Sequence, residues 1–506
     1  MKKIGMSFAL VFGLAMQAAC SDEGSDPTKA PPASPGGQTE QTQPPGDAPP
    51  DGDTNDPMAP PPKPAAGMAM VRAIHASADA PSVDVYVKGS PAPIVTKLAY
   101  GQTSGWIEVP KGTYELELRA APSKPTDPIA YMTGPLAVAD GAMISCVAAG
   151  LLGSTDTEAA FRLVPLVEQF DTVPGGQVRV RAVHAGADAP SVDLDVGNDD
   201  PAKPEVTSLA RFADTGKDGV ALPAGALAIG VAKDGGRVTA FTTPKLPSGG
   251  QLLVIATGLL AKLPRERDGF ALLAIGPSGS VGFIKQDPIV YALHASPDAP
   301  AVDAFVGTTE IFDHLAFGQL SKPIQVQPGE YQVDLFATTP GAARPDGKPA
   351  ATGKTGQLVA GERYLAEATG FLGDGNLALL AYRDGFDMKA DKAVLRAVHG
   401  SPDAPNVDIG VVAGQSIQTV LFPDLGYTKA SDEKGVAADE GHIPIGIGPT
   451  SSSTPAAVFT LPAQSGQRAF TIAAGALAPK TGQQSFRLLL VDTAQPTWTV
   501  TTVFPH

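Results

Sequence analysis

Four histidines, each followed by two aspartates at nearly constant spacing, are the residues of this chain whose types and positions could perform chemistry. The first stretch, HASADAPSVD, begins at His75, and close copies begin at His184, His294 and His399. An imidazole beside carboxylates can bind a cation or transfer protons. The candidate residues are His75, Asp79, Asp84, His184, Asp188, Asp193, His294, Asp298, Asp303, His399, Asp403 and Asp408.

The spacing within the motif favours a structural role over these two chemistries. It matches no strong metal motif, and calcium takes more oxygen ligands than two carboxylates supply. A hydrolase would also need a nucleophile, yet the sequence has no GxSxG, HExxH, phosphate-binding glycine loop or paired CxxC. We therefore expect no metal, no cofactor and no catalytic residue. A hydrogen bond from the histidine to the second aspartate is predicted to join two strands, and Asp79-Ala80-Pro81 to form an Asx-type turn. A His, Asp, Asp cation site and a catalytic site are the alternatives.

The segments on both sides of each motif read as strands. An apolar run such as VRAIHA precedes it and an alternating run such as VDVYV follows it. Side chains alternate along a strand, so Val83 and Val85 face the core while Asp84 faces the other way. Successive motif histidines are 109, 110 and 105 residues apart, which is the size of a small domain. GAMISCVAAG and a closing apolar strand also recur in each unit, so one fold is expected four times.

Composition favours an all-β protein. The chain has 56 glycines and 49 prolines in 506 residues, which suits short strands joined by turns. We predict four tandem immunoglobulin-like or transthyretin-like β-sandwich domains after a disordered tether. Units 2 and 4 replace an aromatic-glycine segment with an acidic loop, which predicts an A-B-A-B order. The predicted division is a signal peptide at 1–19, a lipidated Pro-rich tether at 20–66, and repeats 1 to 4 at 67–173, 177–286, 288–389 and 392–506.

The N-terminus indicates export. Lys2 and Lys3 precede an apolar stretch and small residues that end at Cys20. This segment resembles a bacterial lipoprotein signal through Ala18-Ala19-Cys20, which implies lipidation of Cys20 and, by analogy, sorting to the outer membrane. The other cysteine, Cys146, lies in an apolar run and is expected to be an inert strand residue.

Charge and aromatic content limit the partners. The formal net charge is -15 and no cluster of Lys and Arg occurs, so nucleic acid is excluded as a partner. Sugar sites usually stack rings on aromatic side chains, and this chain has only two tryptophans. Trp106 with Tyr100, and more weakly Phe317 with Tyr331, are the candidate platforms, although such residues are more often part of core or turn packing.

The repeated segments resemble a bacterial family, domain of unknown function 4397. The resemblance rests on V-R-x-x-H-A-S-P-D-A-P-x-V-D-V-Y-V and L-x-Y-G motifs and is most specific at 71–87 and 290–306. It implies an exported β-sandwich, often in tandem on cell surfaces, with no established activity. We therefore expect a non-enzymatic, outer-membrane, surface-exposed lipoprotein that serves as an adhesion or ligand-binding array. Its expected partners are the membrane, through the lipid, and a surface protein or glycan. A structural envelope spacer and a metal-dependent or enzymatic envelope module are the alternatives.

Overall fold

A computed structural model of the chain describes residues 56–339, 341, 343–387 and 391–506. In these ranges all regular elements are β-strands, as the composition predicts. Within the same ranges, no helix has the length and apolar character that crossing a membrane requires. The signal peptide, Cys20 and most of the predicted tether lie outside the described residues.

Repeats 1 and 3 each fold into two facing four-stranded sheets. Repeat 1 pairs its strands in the orders β10-β9-β1-β4 and β3-β2-β6-β7, with a small β5-β8 ladder beside them. Its strands are β1 (Met68–His75), β2 (Val83–Val87), β3 (Val95–Leu98), β4 (Ile107–Pro110), β5 (Gly112–Tyr114), β6 (Leu116–Ala120), β7 (Tyr131–Met132), β8 (Leu136–Val138), β9 (Met143–Ala149) and β10 (Arg162–Val167). Repeat 3 uses the orders β23-β20-β26-β27 and β22-β21-β24-β25. Its strands are β20 (Ile289–His294), β21 (Val302–Val306), β22 (Thr309–Leu315), β23 (Ile324–Gln325), β24 (Gly329–Ala337), β25 (Ala351–Leu358), β26 (Arg363–Thr369) and β27 (Ala378–Arg383).

Repeats 2 and 4 add one strand to the sheet that contains the motif strand. The orders are β14-β11-β17-β18-β19 with β13-β12-β15-β16, and β31-β28-β34-β35-β36 with β30-β29-β32-β33. Repeat 2 contains β11 (Gln177–His184), β12 (Val192–Val196), β13 (Val206–Leu209), β14 (Val220–Pro223), β15 (Ala228–Lys233), β16 (Gly236–Thr242), β17 (Gln251–Thr257), β18 (Ala271–Ile275) and β19 (Ser280–Lys285). Repeat 4 contains β28 (Ala393–His399), β29 (Val407–Ala413), β30 (Ser416–Leu425), β31 (Val436–Ala438), β32 (Gly441–Pro449), β33 (Ala457–Ala463), β34 (Arg468–Ala474), β35 (Arg487–Asp492) and β36 (Thr499–Val503). The two types of repeat alternate along the chain in the A-B-A-B order.

The sheet with the motif strand is apolar on both faces, because it packs in two directions. In repeat 1, β1 pairs in parallel with β9 at its centre. Strands buried on both faces read as continuous apolar runs rather than as alternating ones. One face closes the sandwich, and the other packs against the same sheet of the neighbouring repeat. Repeats 1 and 2 share a core that includes Ile74, Val147, Val183, Ile255 and Leu273, and repeats 3 and 4 share an equivalent one.

Within each pair of repeats, 1 with 2 and 3 with 4, the same sequence position of both repeats forms a hydrogen bond to the other repeat. The residue three positions before each motif histidine reaches a backbone carbonyl of the paired repeat. The bonds are Arg72 Nη1 to Gly276 O (2.8 Å), Arg181 Nη1 to Val167 O (2.6 Å), Tyr291 Oη to Pro496 O (3.0 Å) and Arg396 Nη1 to Arg383 O (2.6 Å). Each pair is therefore tied in both directions by the same position.

Polar contacts join repeat 2 to repeat 3. Gln325 Nε2 donates to Thr239 Oγ1 at 3.2 Å, and Arg265 Nη2 donates to Phe386 O at 2.8 Å. The carboxylate of Asp384, 1% exposed, forms an ion pair with Arg363 of its own repeat and lies 3.8 Å from Arg265 Nη1 of repeat 2. Asp384 therefore links two repeats at a buried position.

Residues 57–60 of the predicted tether lie on repeat 2. Ser278 N donates to Pro57 O at 3.0 Å, and Ser278 Oγ donates to Ala59 O at 2.9 Å. Gly276 allows this approach, because a Cβ there would overlap Pro57 O. Residues 57–60, expected in the disordered tether, are thus attached to the turn between β18 and β19.

Candidate functional site

The four motif histidines bond to the backbone. Each is at most 1% exposed, at the end of the strand that precedes the motif. The Nε2 atom faces the carbonyl oxygen of the motif proline, and Nδ1 accepts the N–H two residues after the histidine at 3.3 or 3.4 Å. The Nε2 distances are His75 to Pro81 2.9 Å, His184 to Pro190 2.7 Å, His294 to Pro300 2.9 Å and His399 to Pro405 2.9 Å. The predicted bond from histidine to the second aspartate is wrong, because both ring nitrogens already have backbone partners.

Burial fixes the charge of these imidazoles. It lowers the pKa of all four, and the hydrogen bond to the proline carbonyl opposes it only in part. The ring is therefore neutral at pH 7, with its proton on Nε2. A neutral ring with both nitrogens in use offers neither a metal ligand nor a general base.

The first aspartate of each motif joins the motif to a distant loop. Asp79 accepts the backbone N–H groups of Leu152 (2.8 Å) and Gly153 (2.9 Å), just after β9. Asp188, Asp298 and Asp403 accept the corresponding pairs Leu260 and Ala261, Leu372 and Gly373, and Leu477 and Ala478. The prediction of a local Asx-type turn is wrong, because these N–H donors are more than 70 residues away in the chain.

The second aspartate supports a β-bulge. Asp84 Oδ1 accepts the N–H of Lys97 at 2.7 Å, where the pairing of β2 with β3 shifts register. Lys97 has φ of 52°, a left-handed conformation that L-residues adopt at a cost. Asp193, Asp303 and Asp408 bond in the same way to Ser208, His314 and Asp424, whose φ angles are 52°, 50° and 46°. Each aspartate thus holds a strained non-glycine residue in the bulge that shapes the second sheet.

These bonds also set the ionisation of Asp84. Desolvation raises its pKa, but hydrogen bonds from Lys97 N and from the N–H and hydroxyl of Ser123 outweigh desolvation and leave the pKa below its ordinary value. The folded structure therefore stabilises the charged carboxylate of Asp84.

One acidic cluster in repeat 3 was missed by the sequence analysis. Glu310 and Asp313 approach Asp303, with one oxygen of each within 4.8 Å of the others. Burial, followed by the charges of Asp313 and Asp303, raises the pKa of Glu310. Asp303 already accepts hydrogen bonds from His314 N, Thr338 Oγ1 and Thr339 N, so its oxygens serve the fold. The other two carboxylates supply fewer oxygens than calcium binds. No spacing rule points to this cluster, because Glu310 and Asp313 lie on the neighbouring strand.

The predicted aromatic platforms are packing residues. Trp106 Nε1 donates to Pro277 O of repeat 2 at 2.7 Å, and its ring lies 4.5 Å from the guanidinium of Arg72. Tyr100 is buried and packs on Phe283 of repeat 2. Phe317 lies under Arg487 of repeat 4, and the hydroxyl of Tyr331 donates to the backbone of its own loop. These rings stabilise turns and borders between repeats, in agreement with the packing interpretation and not with sugar platforms.

A buried glutamate lies at the border between repeats 3 and 4. Glu367, on β26, is 0% exposed, and among the described residues neither carboxylate oxygen makes a hydrogen bond of good geometry, although the Tyr382 hydroxyl lies near enough to affect its pKa. A Cβ on Gly400 of repeat 4 would overlap its Oε1, and the other three motifs have alanine at that position. Burial raises the pKa of Glu367 to about 8, with the Tyr382 hydroxyl offsetting part of this effect. In the sequence, Glu367 could be noticed only as an acidic residue within the largely apolar strand RYLAEAT.

The predicted inert cysteine, Cys146, lies in β9 at 2% exposure, and burial raises its pKa to about 12. A thiol in this state is protonated and has no access to a partner.

Comparisons with known proteins identify a family for two regions. The family model described as "Domain of unknown function (DUF4397)" matches residues 69–195 and 289–410. The two regions contain all four motifs. No curated protein matches the chain. A solved structure, "The Bacillus anthracis TIE protein", matches at 9% identity over 77% of this chain and 66% of that chain, just under two thirds, with a TM-score of 0.13. A TM-score this low supports no argument about this chain.

Proposed function

We propose that this chain, whose residues 69–195 and 289–410 match the DUF4397 family model, is a non-enzymatic binding array of the bacterial cell surface. In this proposal lipid on Cys20 holds the chain at the outer membrane. The four sandwiches form an adhesion or ligand-binding array, and the repeated motif serves the fold.

The observation that carries the proposal is packing at all three borders between repeats. Apolar cores join repeats 1 and 2 and repeats 3 and 4, and polar contacts of Gln325 with Thr239 and of Arg265 with Asp384 join repeats 2 and 3. Large apolar interfaces restrain domain motion, so each pair is fixed. The contact between the pairs includes the buried carboxylate of Asp384, which ties one pair to the other. A restrained array holds a binding surface at a fixed position, which lowers the entropic cost of binding.

Spin-label distances test this restraint. In a Cys20→Ser background, the exposed residues Lys124 of repeat 1 and Ser453 of repeat 4 are changed to cysteine and labelled, while buried Cys146 stays unmodified. We expect one narrow distance distribution by double electron–electron resonance. A broad distribution would show independent domains and contradict the restrained array.

An attachment assay separates binding from a spacer role. The chain is expressed on a non-adherent bacterial host, and attachment is measured on surfaces coated with host proteins or glycans, with Cys20→Ala as the control without an anchor. We expect attachment above the control. Attachment at the control level, with antibody still reaching the chain on intact cells, would favour the spacer alternative.

A thermal melt tests the metal-dependent alternative. Because the motif atoms bond to backbone groups, Ca²⁺, Zn²⁺ and EDTA are expected to leave the Tm unchanged. The control replaces all four motif histidines with alanine. A metal-dependent rise in the parent that is lost in this variant would establish four cation sites instead.

A further inference from the structure

The sandwich of repeat 2 contains a cavity that is several times larger than the corresponding space in each other repeat, among the residues that the structure describes. Its volume is about 400 Å³, and it lies between the two sheets, lined by β11 and β17 on one side and β12 and β15 on the other. The corresponding spaces measure about 40 Å³ in repeat 1, about 50 Å³ in repeat 3 and about 10 Å³ in repeat 4. Protein cores rarely contain voids much larger than a water molecule, whereas ligand pockets have volumes of roughly 300–1,000 Å³.

Two equivalent positions explain the difference in volume. The register of the second sheet aligns Val206 of repeat 2 with Val95, Phe312 and Phe422, and the residue Leu227 with Tyr114, Tyr331 and Ile443. Every other repeat has an aromatic ring in at least one of these two positions. Repeat 2 has an aliphatic side chain in both, and both line its cavity.

The lining selects an apolar ligand. Among its few polar groups, Thr243 Oγ1 accepts Leu227 N at 2.9 Å, Thr215 Oγ1 accepts Ala182 N at 3.0 Å, and His184 faces the carbonyl of Pro190. These atoms already have backbone partners. A sugar or nucleotide would bury its own polar groups without compensation, which is costly.

The rim of the cavity adds one cation and one movable side chain. Lys245 is exposed and lies on the rim segment between β16 and β17. Met58, on the segment attached to Ser278, packs on the apolar cluster of Val178 and Leu252 at the same cavity. Methionine is flexible and adapts to irregular apolar surfaces, so it can move aside for a ligand.

We propose that repeat 2 binds a single-chain anionic amphiphile of the fatty-acid class. Its hydrocarbon chain lies between the sheets, its carboxylate pairs with Lys245, and Met58 covers the entry. This inference rests on the proposed ligand-binding role and names a ligand class for it.

Titration of the purified chain with parinaric acid, an intrinsically fluorescent fatty acid, tests the site. We expect saturable binding with one site per chain. The variant Val206→Phe, Leu227→Tyr carries the aromatic residues of the sister repeats and is expected to weaken binding at least tenfold, while its Tm is not lower than that of the parent. The reciprocal change in repeat 3, Phe312→Val with Tyr331→Leu, is expected to add a second site.

Calorimetry with dodecanoic acid and 1-dodecanol tests the rim without changing the core. Lys245→Gln is expected to weaken dodecanoic acid binding several-fold and to leave dodecanol binding unchanged, because only the acid carries a charge. Absence of saturable binding by the parent, or parent-like binding by a folded variant with the filled cavity, would overturn the site. Equal effects of Lys245→Gln on both ligands would overturn the position of the carboxylate. The spin-label and attachment assays of the array add no fatty acid, so failure of this site and failure of the proposed function give different results.

Discussion

Glu367 allows a prediction whose magnitude follows from its burial. An exposed glutamate titrates near pH 4.3, whereas burial raises the pKa of Glu367 to about 8 in the folded chain. Between these values the unfolded chain has lost the proton and the folded chain has kept it. Stability therefore falls as the pH rises, by about 1.4 kcal/mol per pH unit. At pH 7 the accumulated loss is about 3.7 kcal/mol.

The substitution Glu367→Gln removes the ionisation and keeps the shape. We expect it to raise the free energy of unfolding of repeats 3 and 4 by about 3 to 4 kcal/mol at pH 7 and by less than about 1 kcal/mol at pH 4.5. Glu367→Ile should stabilise further, because the equivalent residues are Val147, Ile255 and Ile472, and an apolar side chain also removes the unbonded polar atoms.

Tryptophan fluorescence can follow the unfolding of each pair of repeats separately, because each pair contains one tryptophan. In a Trp106→Phe background, the fluorescence of Trp498 reports on repeats 3 and 4 alone, where its ring stacks on Tyr291 at 4.3 Å. Urea unfolding is measured at pH 4.5 and pH 7, with Glu330→Gln, an exposed change in the same repeat, as the control. An equal effect of Glu367→Gln at both pH values would refute the argument, since the benefit would then not come from ionisation.

Three further predictions concern the motif and the border between repeats 2 and 3. Asp84→Ala should destabilise repeats 1 and 2 by about 2 to 5 kcal/mol, because it leaves backbone N–H groups unbonded, and adding Lys97→Gly should recover part of the loss. Urea unfolding followed by Trp106 fluorescence measures the stability of both variants. An unchanged stability of Asp84→Ala would contradict the argument that Asp84 holds the bulge. Burial lowers the pKa of the motif histidines below 6.5 in the folded chain, so their contribution is complete above pH 6.5 and is lost as the pH falls, by at most about 1.4 kcal/mol per pH unit for each histidine. Urea midpoints from pH 7 to pH 5 test this, and a slope unchanged by His75→Gln would contradict it. Asp384→Asn should cost about 3 to 5 kcal/mol, because Arg363 is left charged and buried, and a loss below 1 kcal/mol by Trp498 fluorescence would show that Arg363 finds other partners.

The sequence predicts the strands, the all-β fold and the A-B-A-B order because each depends on side-chain pattern. Alternation and apolar runs identify strands whatever their partners are, and the repeated motif marks each unit. The acidic loops of units 2 and 4 mark the second type of repeat. The added strands β19 and β36 are short and lie just before the next unit or the end of the chain, so their membership in the sheet is visible only in the pairing.

The predictions that failed concern hydrogen-bond partners that are backbone groups, which the residue types do not identify. His75 bonds to the carbonyl of Pro81, and Asp79 to the N–H groups of Leu152 and Gly153, and every residue type except proline carries both of these backbone groups. Residue types can show that a polar atom needs a partner. They cannot show that the partner is backbone, and side-chain pairs such as His75 with Asp84 are therefore favoured wrongly.

The pairing of repeats explains why the same motif position varies between arginine and tyrosine. Arg72 and Tyr291 both reach the turn before the last strand of the paired repeat, which only repeats 2 and 4 possess. In the first pair Arg72 is held by Glu168 and covered by Trp106, which both belong to its own repeat. In the second pair Tyr291 stacks on Trp498 of the paired repeat, so a change of Tyr291 must be matched across the border. The unit that this sequence preserves is the pair of sandwiches, since a single repeat would expose the apolar face that its partner covers.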